Sequence, residues 1–375
     1  MASLRIGICG AGIGGLTAAI ALRQLGFESQ VYEQAAKFGQ VGADINLTPN
    51  AVLALDGLGL GESLRATAAR PTHRISRTWD TGEETSRLPM SDEAEQKYGA
   101  PQLTIHRAEL LNALLDRVPP ETVHLGKKTT RVTESADGIT LHFADGTQET
   151  FDVVIGADGI HSQVREHLHG EDRPQFTGLV AYRAVVPVNR LEGVPNLNAF
   201  TKWWGPNPET QIVTFPLNLG KDIFIFATTY QDSWRHESWT MPGSVEELRD
   251  IYKDFHPDAT ALLAACDEVL KSALNVRDPL PFWAQGGIAI MGDAAHPMTP
   301  FMAQGAGMAI EDGVVLARAL ASLPNDPAEA LKRFERARLD RTAKVQLGSR
   351  GNNWLKDGGN GDWVYGYNAW EAELV

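Results

Sequence analysis

The first 33 residues constrain this chain more than any other stretch. A short apolar run, LRIGIC, meets GAGIGG, then the alanine- and leucine-rich LTAAIALRQLG, then FESQVYE. The pattern predicts a strand, a tight turn, a helix ending near Gly26 and a second strand ending in a carboxylate. Gly10, Gly12 and Gly15 form a GxGxxG spacing. Gly10 permits the turn, Gly12 lets a pyrophosphate reach the backbone, and Gly15 lets the helix pack close to its strand. Ile13 and Gly14 belong to the same candidate turn, where helix N–H groups and the positive dipole end face an anion. Glu33 stands 18 residues beyond Gly15, where a carboxylate binds ribose hydroxyls, and Gln34 follows it. That carboxylate disfavours a 2′-phosphate, hence NADP, at this site. Read alone, the motif is also compatible with a glycine-rich turn that binds nothing.

Bulk properties narrow the alternatives. With 375 residues the chain has room for one to three domains. Its formal net charge of −13 and lack of a Lys/Arg run argue against nucleic acid or an anionic membrane as partner. Two cysteines, Cys9 and Cys266, make a disulfide framework or cysteine metal site implausible, and no metal is expected. A reducing cytoplasmic location fits. No apolar run is long enough to predict a membrane span. The glycine spacing explains the apolar N-terminus better than a signal peptide does.

The expected architecture is α/β. A Rossmann-like dinucleotide-binding domain is drawn from residues 1–70, 100–176 and 277–345. It is interrupted by a substrate domain on an antiparallel sheet, residues 71–99 and 177–276. The β-branched segments LVAYRAVVPV, QIVTFPL and DIFIFATTY supply that sheet. A charged helix, PAEALKRFERARLDRTAKVQ, reads as solvated. Residues 346–375 form an aromatic tail that packs on the body or joins a dimer interface.

Two later stretches sharpen the reading. GADGIHSQVRE (156–166) and GDAAHP (292–297) join the glycine turn in an order and spacing that resemble the class A FAD-dependent aromatic monooxygenases, over essentially the whole chain. Within that family, KWW (202–204), MAIED (308–312) and the late DWVYGY are most similar to the 6-hydroxynicotinate 3-monooxygenases.

The resemblance implies tightly bound, non-covalent FAD, NADH or NADPH as a transient co-substrate, and O₂. Asp293 would hold the ribityl chain. Pro300, Gly305, Ala306, Gly307 and Met308 would bring a loop and a helix start to the flavin. Ala43, Arg107 and Val132 match further cofactor positions, although Arg107 also reads as a surface residue. Asp158 and Arg165 would serve FAD and the nicotinamide cofactor; a salt bridge fixing the turn is the other reading. His296 is open between proton transfer and support of the flavin loop.

The family reaction would be hydroxylation of a small hydroxylated or aminated aromatic or pyridine carboxylate through a flavin C4a-hydroperoxide, with decarboxylation where the attacked carbon bears the carboxylate. A flavoprotein that does not hydroxylate, an NAD(P)H oxidase or redox sensor, is the alternative. Candidate catalytic or substrate-lining residues are Asn46, Tyr182, Thr214, His296, Pro300 and Phe301, with Phe215 beside them. Phe215 and Phe301 also read as ordinary core, and Tyr182 and Arg183 as facing the outer side of the sheet. Asn46, Thr210, Thr214 and Phe301 stand where the 6-hydroxynicotinate branch has polar or aromatic substrate contacts, and Asp44 where the family has glycine. A monomer or homodimer is expected.

Overall fold

The computed structural model describes residues 4–39, 44–234, 241–351 and 360–375. Its first sheet has six strands in the order Ala284–Gln285, Ile288–Ile290, Val153–Gly156, Ile6–Cys9, Ser29–Tyr32 and Val123–His124. All neighbours are parallel except the edge pair at Ala284–Gln285. Ile6–Cys9 and Val153–Gly156 are buried at every position, as strands covered on both faces must be. On one face the helix Ile13–Gln24 lies against the long helix Gly305–Ser322. Gly313 permits that approach, since a Cβ there would stand 2.8 Å from the Ala18 nitrogen. On the other, the meander Thr129–Ser135, Gly138–Phe143 and Gln148–Phe151 lays Phe151 over Gly7.

The second sheet has seven strands in the order Leu270–Val276, Gln175–Pro187, Asp222–Tyr230, Gln211–Leu217, Phe200–Trp204, His73–Thr78 and Glu84–Pro89. Its pairs are antiparallel apart from Phe200–Trp204 with His73–Thr78. Side chains alternate between faces along each strand. Tyr182, Trp203 and Ile212 point to one face, where the helices Val245–Ile251 and Pro257–Ala264 cover them. Ala181, Val213, Phe215, Phe224 and Phe226 form the other, which looks toward the first sheet. Thr104 joins the two regions by donating to the Pro216 carbonyl at 2.6 Å.

The helix Pro327–Gly348 departs from the solvated expectation. It buries Leu331, Phe334, Arg338, Thr342, Val345 and Gln346 against the body. The reason is ionic, because its arginines answer carboxylates on Gly305–Ser322 that sequence periodicity leaves unpaired. The tail packs back on the body: Trp370 Nε1 donates to the Ala54 carbonyl at 3.0 Å, and Arg318 donates to the carbonyls of Ala369 and Ala372. Among the described residues no helix is long and apolar enough to cross a membrane.

Candidate active site

A cavity of about 390 Å³ lies between the end of the six-stranded sheet and the free face of the seven-stranded one. Its first wall is the glycine turn. Gly10 adopts φ +98, and a Cβ at Gly15 would stand 2.0 Å from the Gly10 carbonyl oxygen, so both positions exclude a side chain. Gly12 is different. A Cβ there would meet nothing within 4 Å, because the backbone faces the open cavity with Ile13 and Gly14. Glu33 spans the turn, accepting from the Ala11 and Ala35 amides at 2.9 Å each. Gln34 is exposed beside it.

The GDAAHP loop supplies the floor. Gly292 needs φ +58, and Asp293 opens into the cavity beside Arg107, Pro300 and Phe301. Burial raises the Asp293 pKa, and His296 and Arg107 pull it back. Gly305 and Ala306 present the first turn of an 18-residue helix to the same space; Gly307 and Met308 lie beneath it, buried. Ala303, just before that helix, sits at φ +54, an uncommon conformation for a residue with a Cβ.

His296 does not line the cavity. It is buried, and its Nε2 shares a 2.6 Å hydrogen bond with the Asp312 carboxylate, which also accepts from the Gly292 amide. Asp312 takes a third bond, from Arg338 Nε at 2.7 Å, and Arg338 pairs with Glu311 at 2.6 Å. Burial opposes charge on Asp312, but His296 and Arg338 outweigh it and hold its pKa at about 2. Glu311 continues the network through Arg341 and Asn50; Asn50 reaches Gln304, and Gln304 reaches Thr48 at the cavity edge. This buried chain, unread in the sequence apart from Glu311 and Asp312, braces the GDAAHP loop from below.

Arg165 is likewise a brace. Its guanidinium donates to the Ala294 carbonyl at 3.3 Å and pairs with Asp172 at 2.9 Å, tying the 156–166 turn to the GDAAHP loop. Asp158 accepts from the Gln163 and Val164 amides through Oδ2, while its other oxygen is buried without a partner. Ala157 and Gly159, not Asp158 itself, reach the cavity. The Val132 side chain lies in the core, and Ala43 falls outside the described residues.

The far wall is the sheet. Phe200, Val213, Phe215, Phe224 and Phe226 line it, with Phe200 and Phe215 stacked at 5.2 Å. Set into this apolar surface are Arg74, Lys202, Arg183 and Gln211. Gln211 is almost wholly buried and its Oε1 has no hydrogen-bond partner. Asn46, bonded to Gln102 at 2.6 Å, and Asp44 close the side. Burial pushes Asp44 up to about 6, against the pull of Arg183, Arg107 and His106; burial also brings Arg183 down to about 10, against Asp44.

Of the sequence-stated substrate residues, Asn46, Phe215, Pro300 and Phe301 line this cavity, whereas Tyr182, Thr214 and His296 do not. The first two fail for one reason. On Gln175–Pro187 the cavity side belongs to Arg183, and on Gln211–Leu217 to Gln211, Val213 and Phe215. A one-residue offset in placing a strand inverts its faces. The substrate-facing positions assigned to Thr210 and Thr214 therefore pass to Gln211 and Phe215.

Residues 3–347 match the FAD binding domain family. The protein thus belongs to the class A FAD-dependent aromatic monooxygenases, and it is a flavoprotein monooxygenase. It is 39% identical over 373 residues to a 6-hydroxynicotinate 3-monooxygenase of Bordetella bronchiseptica, covering 99% of this chain and 97% of that one. A Pseudomonas fluorescens 6-hydroxynicotinate 3-monooxygenase is 38% identical over 375 residues, covering 100% and 97%. Among solved structures, a salicylate hydroxylase substrate complex superposes with a TM-score of 0.83 at 28% identity, covering 98% of this chain and 96% of the other. The cradle fits FAD on its own evidence. It has open space where Gly12 lacks a side chain, a carboxylate facing the cavity at Asp293, and a helix start within reach.

Proposed function

We propose that the protein hydroxylates a single-ring aromatic or pyridine carboxylate bearing a hydroxyl or amino group, consuming NADH or NADPH and O₂. The observation that carries this reading is the charge of the cavity lining. Four basic side chains, Arg74, Arg107, Arg183 and Lys202, line the cavity against two acidic ones, Asp44 and Asp293, in a chain of net charge −13. Cations set in an aromatic, water-poor surface select a flat anion. The unpartnered Gln211 Oε1 asks for a donor on that ring, since a buried acceptor left unmatched costs about 1–3 kcal/mol. A hydroxyl, an amino group or a pyridone N–H would satisfy it, and each also activates the ring.

When bound, FAD supplies hydride acceptance and oxygen transfer. The chain's own residues position and shield. Asp293 would accept hydrogen bonds from the ribityl hydroxyls, and the start of Gly305–Ser322 would stabilise negative charge at the flavin pyrimidine edge. Glu33 would hold a ribose. Phe200, Phe215, Phe224 and Phe226 keep water from the reacting ring. Asp44, with a pKa near 6, is suited to take the proton of a substrate hydroxyl near neutral pH. Carbon dioxide leaves where the attacked carbon bears the carboxylate.

The test is a panel of hydroxybenzoates, aminobenzoates and hydroxynicotinates, scored by NAD(P)H oxidation, oxygen uptake and product mass. At least one compound should stimulate both consumptions and gain one oxygen. Yellow, FAD-replete protein that no compound in the panel stimulates would defeat the hydroxylase reading and leave a non-hydroxylating flavoprotein.

A further inference from the structure

We propose that the C-terminal segment completes the substrate half of the cavity, with the Tyr365 ring as a wall that sets the size of the bound ring and keeps water out. The inference rests on the hydroxylase reading above. Tyr365 lines the same cavity as Arg74, and it comes from a short helical turn, Asp362–Tyr365, far along the chain from every other lining residue.

Much of what holds that turn in place comes from residues other than Tyr365. Arg341 donates to the carbonyls of Trp363 at 2.6 Å and Val364 at 3.0 Å, while its own charge pairs with Glu311. Asp362 accepts from Lys97 at 2.7 Å and from the Tyr98 hydroxyl. Val364 is buried with Met302, Met308 and Val345. Backbone carbonyls, an acidic side chain and a valine thus dock the segment, leaving the half-buried tyrosine turned to the cavity. Its ring angle is held as well. The ring meets Tyr98 edge-on at 6.0 Å, and it lies so close to Gly361 that a Cβ there would stand 2.9 Å from Tyr365 Cε2.

A tyrosine ring and a guanidinium lining one cavity suit a substrate ring whose carboxylate rests on that cation. Removing the face would admit water and loosen the ring. More of the electrons from NAD(P)H would then leave as hydrogen peroxide, one O₂ taking up two electrons and two protons for each peroxide formed.

The experiment compares Tyr365→Leu and Gly361→Ala with the parent, using FAD-loaded protein and whichever panel compound stimulates the parent most. Gly361 has φ −88, so alanine suits its backbone while crowding the tyrosine ring. Flavin absorbance, substrate KM and peroxide released per NAD(P)H are read. We expect retained flavin, a KM raised at least fivefold and at least a doubling of the peroxide fraction in both variants. Flavin-replete variants with KM and peroxide within twofold of the parent would overturn the proposal. So would loss of flavin from both, which would make Tyr365 a support of the cofactor fold. A parent that no panel compound stimulates counts instead against the hydroxylase reading, and a fluorescence titration of a panel carboxylate into parent and variants then decides the wall. Binding weakened at least fivefold supports it, and unchanged binding overturns it.

Discussion

Along the cofactor wall, apart from Asp293 and Arg107, much of the lining is small or works through its backbone: Gly12, Gly14, Ala157, Gly159, Gly305 and Ala306. Across from them the sheet presents large rings and long cations: Phe200, Phe224, Phe226, Arg74, Arg183 and Lys202. The first wall lets a ligand approach the main chain, and its precision comes from a buried ionic frame behind it. On the proposed function the second would recognise its ligand by side chains, so its selectivity would change whenever those side chains change. A family can therefore keep one cofactor and vary its substrates, because the two tasks sit on separate sheets.

The sharpest way to break this division is to damage the frame. Arg338→Leu strips the shared cation from buried Glu311 and Asp312, leaving them Arg341 and His296. We expect a loss of about 3–5 kcal/mol in urea unfolding, with FAD lost in parallel. Next come two glycines of one turn, three residues apart, that differ in purpose. Gly15→Ala drives a Cβ into the Gly10 carbonyl and should destabilise the apoprotein by about 2 kcal/mol or more. Gly12→Ala meets no protein atom, so its apoprotein should melt like the parent while FAD affinity falls at least tenfold, about 1.4 kcal/mol. If both behaved alike, the separation of structural from ligand-facing glycines would be lost.

On the other wall, Lys202→Met should raise the KM of a carboxylate substrate about tenfold, worth about 1.4 kcal/mol, with flavin content unchanged; titration by flavin fluorescence checks both. The smallest effect concerns Asp44. Its folded pKa is raised from 3.8 to about 6, so the stability linked to its protonated form is full below pH 3.8 and lost as pH rises through 6. Asp44→Asn should thus match the parent at pH 3.5. Above pH 7 it should exceed the parent by about 1 kcal/mol, allowing for solvent screening in the cavity mouth.

Much of the cofactor wall was legible because its chemistry is local. A turn, its glycines and the carboxylate closing the next strand occupy 33 consecutive residues, and their spacing points to a dinucleotide before any later motif is read. The loop at Asp293 and the helix start at Gly305 were legible by resemblance. His296 was ambiguous in sequence; its side chain turns from the cavity to Asp312, sixteen residues later. Arg338 looked solvated because a charged helix face usually is, and only its carboxylate partners on another helix reverse that. The substrate wall was harder still. Tyr182 and Arg183 are equally plausible as neighbours in a strand, and local composition does not say which faces inward.

By itself, the sequence determined a strand–turn–helix with dinucleotide spacing, a carboxylate at the end of the next strand, and later motifs in the order that resembles the flavin family. These depend on residues close in the chain, whose backbone needs are visible at once. The tertiary structure decided which face of each sheet strand looks into the cavity, which buried charges are paired, and that Tyr365 returns to the substrate wall. Those outcomes depend on strand register and on contacts between residues up to about 300 positions apart, such as Tyr365 and Arg74 on one cavity. A strand's side chains alternate with a period of two, so only its pairing partners can choose the face.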